Sequence, residues 1–452
     1  MSMSRREFIK ANAAAALGAT ASRTILPDFL FPYGESLSQA APKPIRVAII
    51  GTGNRGRSLL GGLLSMKGLE FPALCDIQPN NLALAQDIVV KAGFKKPEGY
   101  SNGEQDYRRL LERDDVDAVI IATYWEWHTP MAVDAMKAGK YAGVEVPAAY
   151  TLEECWELVK THEATKIPCM MLENWSFRRD NLAVLNMIRL GLLGEIVHCH
   201  CAHSHDCIDH WFFDSETGLD RWPAKYLVNH NRDQYPTHQL GPVLSWLNIG
   251  CGDYFDRIAS TASDAAGIND YFLHRFGAAH PNAKRAFMQG DIVSSVVRTK
   301  KGKSLVINYD MQLPRPYDNR WLVQGTRGIY DEDRSVVYLH GRSPRYHEWE
   351  PFGPYQEKFD HSWWKMLRDA GGELGHGGTD ELELRLFLDA VRAKSQTPID
   401  IYDSVTMSCV IPLSEQSISG GGAPVKCPDF TGGQWNMRKP VFARELPSSA
   451  GA

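Results

Sequence analysis

The chain has 452 residues, 44% of them apolar and 23% charged, with a formal net charge of −5. That length gives two domains or one large one, and the mild negative charge gives no reason to expect nucleic acid as a partner. No apolar run reaches the roughly 18 residues of a membrane-spanning helix, and the nine cysteines follow no regular framework, so neither an integral membrane segment nor a disulfide scaffold is expected.

The chain opens with Ser4-Arg5-Arg6-Glu7-Phe8-Ile9-Lys10, a twin-arginine pattern, and a mild apolar run from Ala11 to Ala21. This reads as a Tat export signal, with a basic amphipathic helix as the alternative. Ala19-Thr20-Ala21 and Ser38-Gln39-Ala40 both offer cleavage sites. Tat export carries folded proteins, the route required by a protein that traps a cofactor before leaving the cytoplasm. A periplasmic or extracellular location is therefore expected. Signal and linker account for residues 1–40.

Residues 41–172 read as a dinucleotide-binding domain. Ile45 to Gly56, IRVAIIGTGNRG, is an apolar strand breaking into Gly51, Gly53 and Gly56. That G-x-G-x-x-G spacing lets a backbone approach a pyrophosphate, with the free N–H groups and positive end of the following helix facing it. Asn54 and Arg55 lie in the same turn. A second strand, Glu70 to Asp76, ends in an acid about 25 residues past Gly51. Asp76 there suits the ribose hydroxyls of NAD better than the 2′-phosphate of NADP, although Arg55 is a cation beside it. A glycine-rich loop in an unrelated α/β protein is the alternative.

Asn81 to Ala92 has helical period. Val116 to Thr123, VDAVIIAT, is a continuous apolar run suited to a parallel strand buried on both faces. Tyr124-Trp125-Glu126-Trp127-His128 follows at its carboxyl end, where open α/β sheets bind ligands. Then come a helix from Thr129 to Ala138, a strand from Lys140 to Val146, a capping box at Thr151 to Glu154 opening a helix to Thr165, and a strand from Ile167 to Glu173. Alternating strand and helix is the doubly wound parallel pattern.

Residues 173–445 change texture and read as a second, α+β domain. Glu195 to Ser204, Asp291 to Thr299, Ser304 to Met311 and Trp321 to Tyr330, the last with a turn at Gly325-Thr326-Arg327-Gly328, carry strand signals. They predict a large, mostly antiparallel sheet. Thr379 to Ala393 is an amphipathic helix. The two chain ends, to about Pro42 and from Glu445, read as mobile.

The glycine turn, Asp76, Glu145-Val146-Pro147 at a strand end and a second sheet domain together resemble the Gfo/Idh/MocA oxidoreductase family. Within it the chain is similar to glycoside hydrolase family 109, the NAD-dependent α-N-acetylgalactosaminidases. The motifs carrying this are Trp125 to His128, GVEVPAAYTLEECW from Gly143, Leu172-Glu173-Asn174, Phe177-Arg178-Arg179-Asp180 and Tyr235-Pro236-Thr237-His238. HPNAK from His280, QGDIV from Gln289, Arg315-Pro316-Tyr317, Gly375-His376-Gly377-Gly378, IPLSEQSI from Ile411 and PDF from Pro428 complete the set. The resemblance covers about Ile45 to Val441. The wider family carries a catalytic lysine in a Glu-Lys-Pro motif. Val146 stands there in this chain, which fits the hydrolase branch and argues against a plain dehydrogenase.

The resemblance implies an exo-glycosidase that works by transient oxidation. A hydride leaves the 3-position of the sugar for NAD, the neighbouring 2-hydrogen is removed, the aglycone is eliminated, water adds, and the hydride returns. His238 is expected to serve the 3-hydroxyl, since a neutral imidazole accepts a proton near neutral pH; a capping or core histidine is the alternative. Tyr317 is the second catalytic candidate, and it is also a sugar contact together with Tyr235. Carried over to the cofactor are Gly51, Gly53, Asn54, Arg55, Gly56 and Asp76, with Trp125, Trp127, His128, Glu145, Val146 and Asn174 toward the nicotinamide.

His198 to His210, HCHCAHSHDCIDH, invites a metal reading because His and Cys are zinc ligands. Strand alternation sends His203 and His205 to the opposite face from His198 and His200, and neighbours on one strand close no tetrahedron. No metal is expected, and the resemblance places His203 and His205 on a strand lining the sugar site. Phe177 and His203 stand where the family carries tyrosines, and Leu227 where it carries a substrate arginine, for which Arg232 is the nearby substitute. These departures touch the sugar side, so the particular sugar stays open. An NAD-dependent oxidoreductase forming 3-keto sugars is the competing reading, and a non-catalytic sugar-binding protein with a relict nucleotide site is a third. A homo-oligomer is expected by analogy.

Overall fold

The computed structural model describes residues 43–369 and 376–444. The expected export signal, its cleavage sites, the linker to Pro42, Gly375 and the end from Glu445 lie outside the described residues.

The first sheet is parallel throughout. Its strands are β1 (Ile45–Ile50), β2 (Leu69–Glu70), β3 (Ala73–Cys75), β4 (Glu98–Tyr100), β5 (Ala118–Ile121), β6 (Tyr141–Val144) and β7 (Cys169–Met171). They lie in the order β4-β3-β1-β5-β6-β7, with β2 beside the start of β1. The expected strand from Glu70 to Asp76 is two short pieces, because Pro72 has no N–H to continue the ladder. The β1–β5 register runs from Val47↔Ala118 to Ile50↔Ile121, and every one of these residues is buried, as a strand covered on both faces requires. The chain turns from one side of β1 to the other at this pair. The crevice beyond the carboxyl ends of β1 and β5 is therefore the switch point at which such sheets hold ligands.

Helices α1 (Asn54–Leu64), α2 (Pro79–Lys91), α3 (Trp125–Lys137) and α4 (Leu152–Thr165) link the strands. The α4 capping box forms as expected, with Glu154 N–H donating to Thr151 Oγ1 at 3.2 Å and Thr151 N–H to Glu154 Oε2 at 3.0 Å. One expectation needs correction. Trp125 to His128 is the first turn of α3, not a loop before a helix at Thr129. Pro130 lies early enough in α3 to remove a single intrahelical bond, so the helix runs through it.

The second sheet has nine strands: β8 (Ile196–Ser204), β9 (Phe255–Ala262), β10 (Ile292–Thr299), β11 (Ser304–Asp310), β12 (Leu322–Gly325), β13 (Gly328–Asp331), β14 (Val336–Leu339), β15 (Glu350–Pro351) and β16 (Val425–Lys426). Their order is β15-β14-β13-β12-β8-β11-β10-β9-β16. Only β8 and β11 pair in parallel. The expected strand from Trp321 to Tyr330 is a hairpin, β12 and β13, folded at Gly325 to Gly328. Along β8 the alternation buries Cys199, Cys201 and His203 on one face. On the other, His198 and His200 bond Ser304 and Asn308 of β11. Helix α5 (Thr237–Leu247) packs on the buried face, and α6 (Thr379–Ala393) packs on α1 and β1. One continuous apolar core holds residues of both sheets, from Ile49 and Ile120 to Cys199 and Ile307.

Candidate active site

The glycine turn fits a dinucleotide. A Cβ on Gly51, whose φ is +86°, would sit 2.5 Å from the Ala122 carbonyl, and one on Gly56 would sit 1.9 Å from the Gly51 carbonyl. These two glycines let turn, helix and β5 pack closely. Gly53 meets nothing within 4 Å, so its side of the turn is open. No side chain caps α1, and its first turn carries no acid, which leaves the N–H groups there for an anionic ligand. Asp76 ends β3 beside the turn. Its Oδ2 accepts from Thr52 N–H at 2.7 Å and Oδ1 from Gln78 N–H at 2.7 Å, which aims the carboxylate along the crevice wall. Asn54 is tied to Arg57 at 2.9 Å.

Arg55 turns inward to a buried ion network. Its Nε donates to Glu145 Oε1 at 2.6 Å, and its terminal nitrogens donate to Asp380 at 2.7 and 3.2 Å. Asn174 Nδ2 and His376 Nδ1 bond the same Asp380 carboxylate at 2.8 and 2.9 Å. Burial pushes Asp380 up, but the hydrogen bonds from His376 and Arg55 and the Arg55 charge outweigh it and hold the acid far below the usual carboxylate range. A guanidinium so engaged is not free to pair with a 2′-phosphate, consistent with the choice of NAD that Asp76 indicates. Asn174 Oδ1 is buried without a partner, an acceptor left for an amide or hydroxyl at this end of the crevice.

Beside this network, β7 ends and Glu173 begins a tight helical turn. Glu173 is fully buried. Oε1 accepts from Trp175 N–H at 3.1 Å, and Oε2 accepts from Ser176 N–H at 2.8 Å and its hydroxyl at 2.5 Å. The remaining partner of Oε1 is His238 Nδ1 at 2.8 Å. His238 sits in the first turn of α5, one turn ahead of Gly241. A Cβ on Gly241 would lie 1.8 Å from Glu173 Oε2, so only glycine lets the helix approach the acid. With Nδ1–H donated to Glu173, Nε2 is left with its lone pair: a carboxylate-oriented imidazole base.

Around His238 stand His203 at 5.4 Å, Tyr235 at 5.1 Å and Trp175 at 6.1 Å, ring centre to ring centre. Tyr317 closes the group, 5.7 Å from His203, 4.9 Å from His205 and 6.0 Å from Trp175, with 38% of its surface open. A phenol keeps its proton at neutral pH, and the surrounding side chains push that of Tyr317 further up despite the open edge of the ring, so its hydroxyl is a donor. Burial pushes the imidazoles of His203 and His205 down, His205 to about 4, with the neighbouring imidazoles adding to the effect. The result is a polar aromatic pocket with one oriented base.

The other expected site residues lie further back. Trp125 is buried and stacks on Tyr226 at 4.8 Å and Tyr235 at 5.8 Å, backing the pocket wall. Trp127 meets Tyr107 at 6.4 Å. His128 is buried between the carbonyls of Pro147 at 2.7 Å and Thr123 at 3.1 Å, tying the ends of β5 and β6 together. Val146 is buried beside Glu145. Arg232 is buried against Glu415 at 2.8 Å and over the Tyr150 ring at 3.9 Å, with Nη2 left without a partner. Of the three family departures, only His203 lies in the pocket. Phe177 packs into the core against Phe442 and Trp363, and Leu227 is buried among apolar side chains. Sequence reasoning assigned no role to Glu173, Trp175, His376 or Asp380. Glu173 carried a signal, an acid at the carboxyl end of a parallel strand, whereas Asp380 lies in an amphipathic helix with no motif to mark it.

Residues 45–172 match the oxidoreductase family with an NAD-binding Rossmann fold, and residues 177–437 match the glycosyl hydrolase 109 C-terminal domain. A glycosyl hydrolase family 109 protein of Stenotrophomonas maltophilia is 39% identical, covering 98% of each chain. An alpha-N-acetylgalactosaminidase of Tannerella forsythia is also 39% identical, covering 98% of this chain and 100% of that one. Among solved structures, an NAD binding oxidoreductase from Klebsiella pneumoniae superposes with a TM-score of 0.66 at 18% identity, over 85% of this chain and 98% of that one. Levoglucosan dehydrogenase in complex with NADH and L-sorbose gives 0.63 at 18% identity, over 86% and 100%. At that identity the likeness shows the fold.

Proposed function

The chain belongs to glycosyl hydrolase family 109, and from that premise we propose that this NAD-binding glycosidase releases a terminal N-acetylgalactosamine-type sugar by transient oxidation at its 3-position. The observation carrying this is the buried Glu173–His238 pair opening into an aromatic pocket at the carboxyl ends of the Rossmann strands. The Gly51–Gly56 turn and Asp76 would hold NAD, which would supply reversible hydride-acceptor chemistry at this end of the crevice. His238 Nε2 takes the proton of the sugar hydroxyl being oxidised, and Glu173 holds the resulting imidazolium. Tyr317 donates a hydrogen bond to the sugar, and Trp175 and Tyr235 supply faces for the ring. His203, where the family carries tyrosine, replaces a phenol with an imidazole, so recognition of the acyl-amino group is the property most open to change. Export by the Tat route, supported by Arg5-Arg6 and the folded cofactor domain, belongs to the same proposal.

The test is a panel of p-nitrophenyl glycosides run in deuterated water. Nitrophenol release with deuterium at the sugar's 2-position, and no net NADH, is the expected result. Release without deuterium means direct displacement and refutes the mechanism. Net NADH without release would favour a 3-keto-sugar oxidoreductase.

A further inference from the structure

Just beyond the end of β8 the chain brings three metal-type ligands together. One ligand atom each from His205, Cys207 and His210 lies within 4.8 Å of the others. Strand alternation does not forbid this set, because only His205 extends the strand. Cys207 and His210 come from the turn after it. That turn is anchored: His205 N–H bonds the Asp310 carbonyl at 2.8 Å, and Cys207 N–H bonds the Met311 carbonyl at 3.1 Å. It continues into a π-helical turn, Ile208–Phe212, whose wide pitch appears in the bonds from Phe212 N–H to Cys207 O at 3.1 Å and from Phe213 N–H to Ile208 O at 2.9 Å. Such turns concentrate at functional positions. They carry His210 back over His205, ring centres 5.2 Å apart.

We propose that His205, Cys207 and His210 form a binding site for a zinc-class divalent cation at the rim of the sugar pocket. Two imidazoles and a thiolate suit a borderline-soft ion, and three protein ligands leave a fourth position for water. A tetrahedral zinc spaces its ligand atoms by roughly 3.3–3.8 Å, so a modest rotation of His210, whose side chain is 51% exposed, closes the set. Asp209 lies 3.7 Å from His210 Nδ1, beyond hydrogen-bond distance, so the ring is free to turn toward the other two ligands. Binding replaces the Cys207 thiol proton, which leaves to solvent, with a sulfur–metal bond. His205 also faces Tyr317 at 4.9 Å, so an occupied site holds one wall of the pocket still.

Cobalt(II) titration of the untagged full chain tests this without reference to activity. One equivalent should produce a thiolate-to-cobalt charge-transfer band and the intense visible bands of a tetrahedral site. Cys207→Ser should abolish the charge-transfer band. His210→Ala, a change at a half-exposed position that leaves the fold intact, should weaken binding by at least about ten-fold, the loss typical of an outer-shell partner alone. Absence of the charge-transfer band at one equivalent, or equal affinity in wild type and His210→Ala, overturns the site.

Discussion

At the scale of single residues, the pocket depends on the hydrogen bond between Glu173 and His238. Glu173→Gln keeps the shape but lets an amide present its NH2 to Nδ1, which favours the tautomer with the proton on Nε2. We expect kcat to fall by about 10² to 10⁴, the range general-base catalysis supplies, with KM nearly unchanged; initial rates on the p-nitrophenyl substrate measure it. Adding His238→Ala to Glu173→Gln should cost no more than His238→Ala alone, because the two act as a unit. A second buried acid behaves differently. Burial pushes Asp233 up to about 7, although Tyr235 N–H and the Gln239 amide hold it back in part. In the unfolded chain the same carboxyl titrates near 4, so folding takes up a proton between about pH 4 and 7 and stability falls as pH rises through that window. Asp233→Asn removes this slope. Its amide also offers a donor to Gln239 Oε1, now without a partner, once that amide turns over. Denaturant unfolding should show the variant gaining on wild type at pH 8 relative to pH 5; the opposite order would contradict the assignment.

At the scale of elements, the pocket is built where α5 meets the end of β7. Gly241 makes that contact, and its role was invisible in the sequence, where it sits in an apolar helical run without any motif. Gly241→Ala would place a methyl carbon 1.8 Å from Glu173 Oε2. Overpacking of this kind costs about 1–3 kcal/mol. The larger effect should be on catalysis, since the displaced acid no longer orients His238. Thermal unfolding and kcat measured on the same preparation separate the two losses. The start of α3 teaches a related lesson. Trp125 to His128 reads as a strand-end loop, yet it is helix. Trp125 therefore backs the pocket through Tyr235, and His128 braces two strand ends from within.

At the scale of the whole molecule, the described residues from Lys43 onward fall in one compact unit, and their apolar core runs through both sheets. Arg55 of α1 bound to Asp380 of α6 ties the Rossmann turn to a helix 325 residues away in sequence. Calorimetry should therefore record one transition, not a separate step for each sheet. NAD at a hundred-fold excess over its Kd should raise stability by about 2.7 kcal/mol, and Asp76→Ala should remove most of that gain. Two resolved transitions, only the first of them shifted by NAD, would show instead that the sheets unfold independently.

The parallel sheet, the glycine turn with Asp76, the second sheet and the resemblance to the hydrolase family were all legible in the chain before folding. The first three are written in local period and spacing, which local backbone chemistry suffices to read; the family was legible only as a resemblance carried by long motifs. Which side chains meet is settled by the folded molecule. Glu173 and His238 are 65 residues apart and Arg55 and Asp380 are 325 apart, and no periodicity encodes such pairs. Folding also separated His203, which packs against His238 and Tyr317, from Phe177 and Leu227, which pack into the apolar cores. Burial and hydrogen-bond satisfaction are properties of the assembled core. An acid or an imidazole acquires its chemistry from neighbours that the chain brings together only on folding.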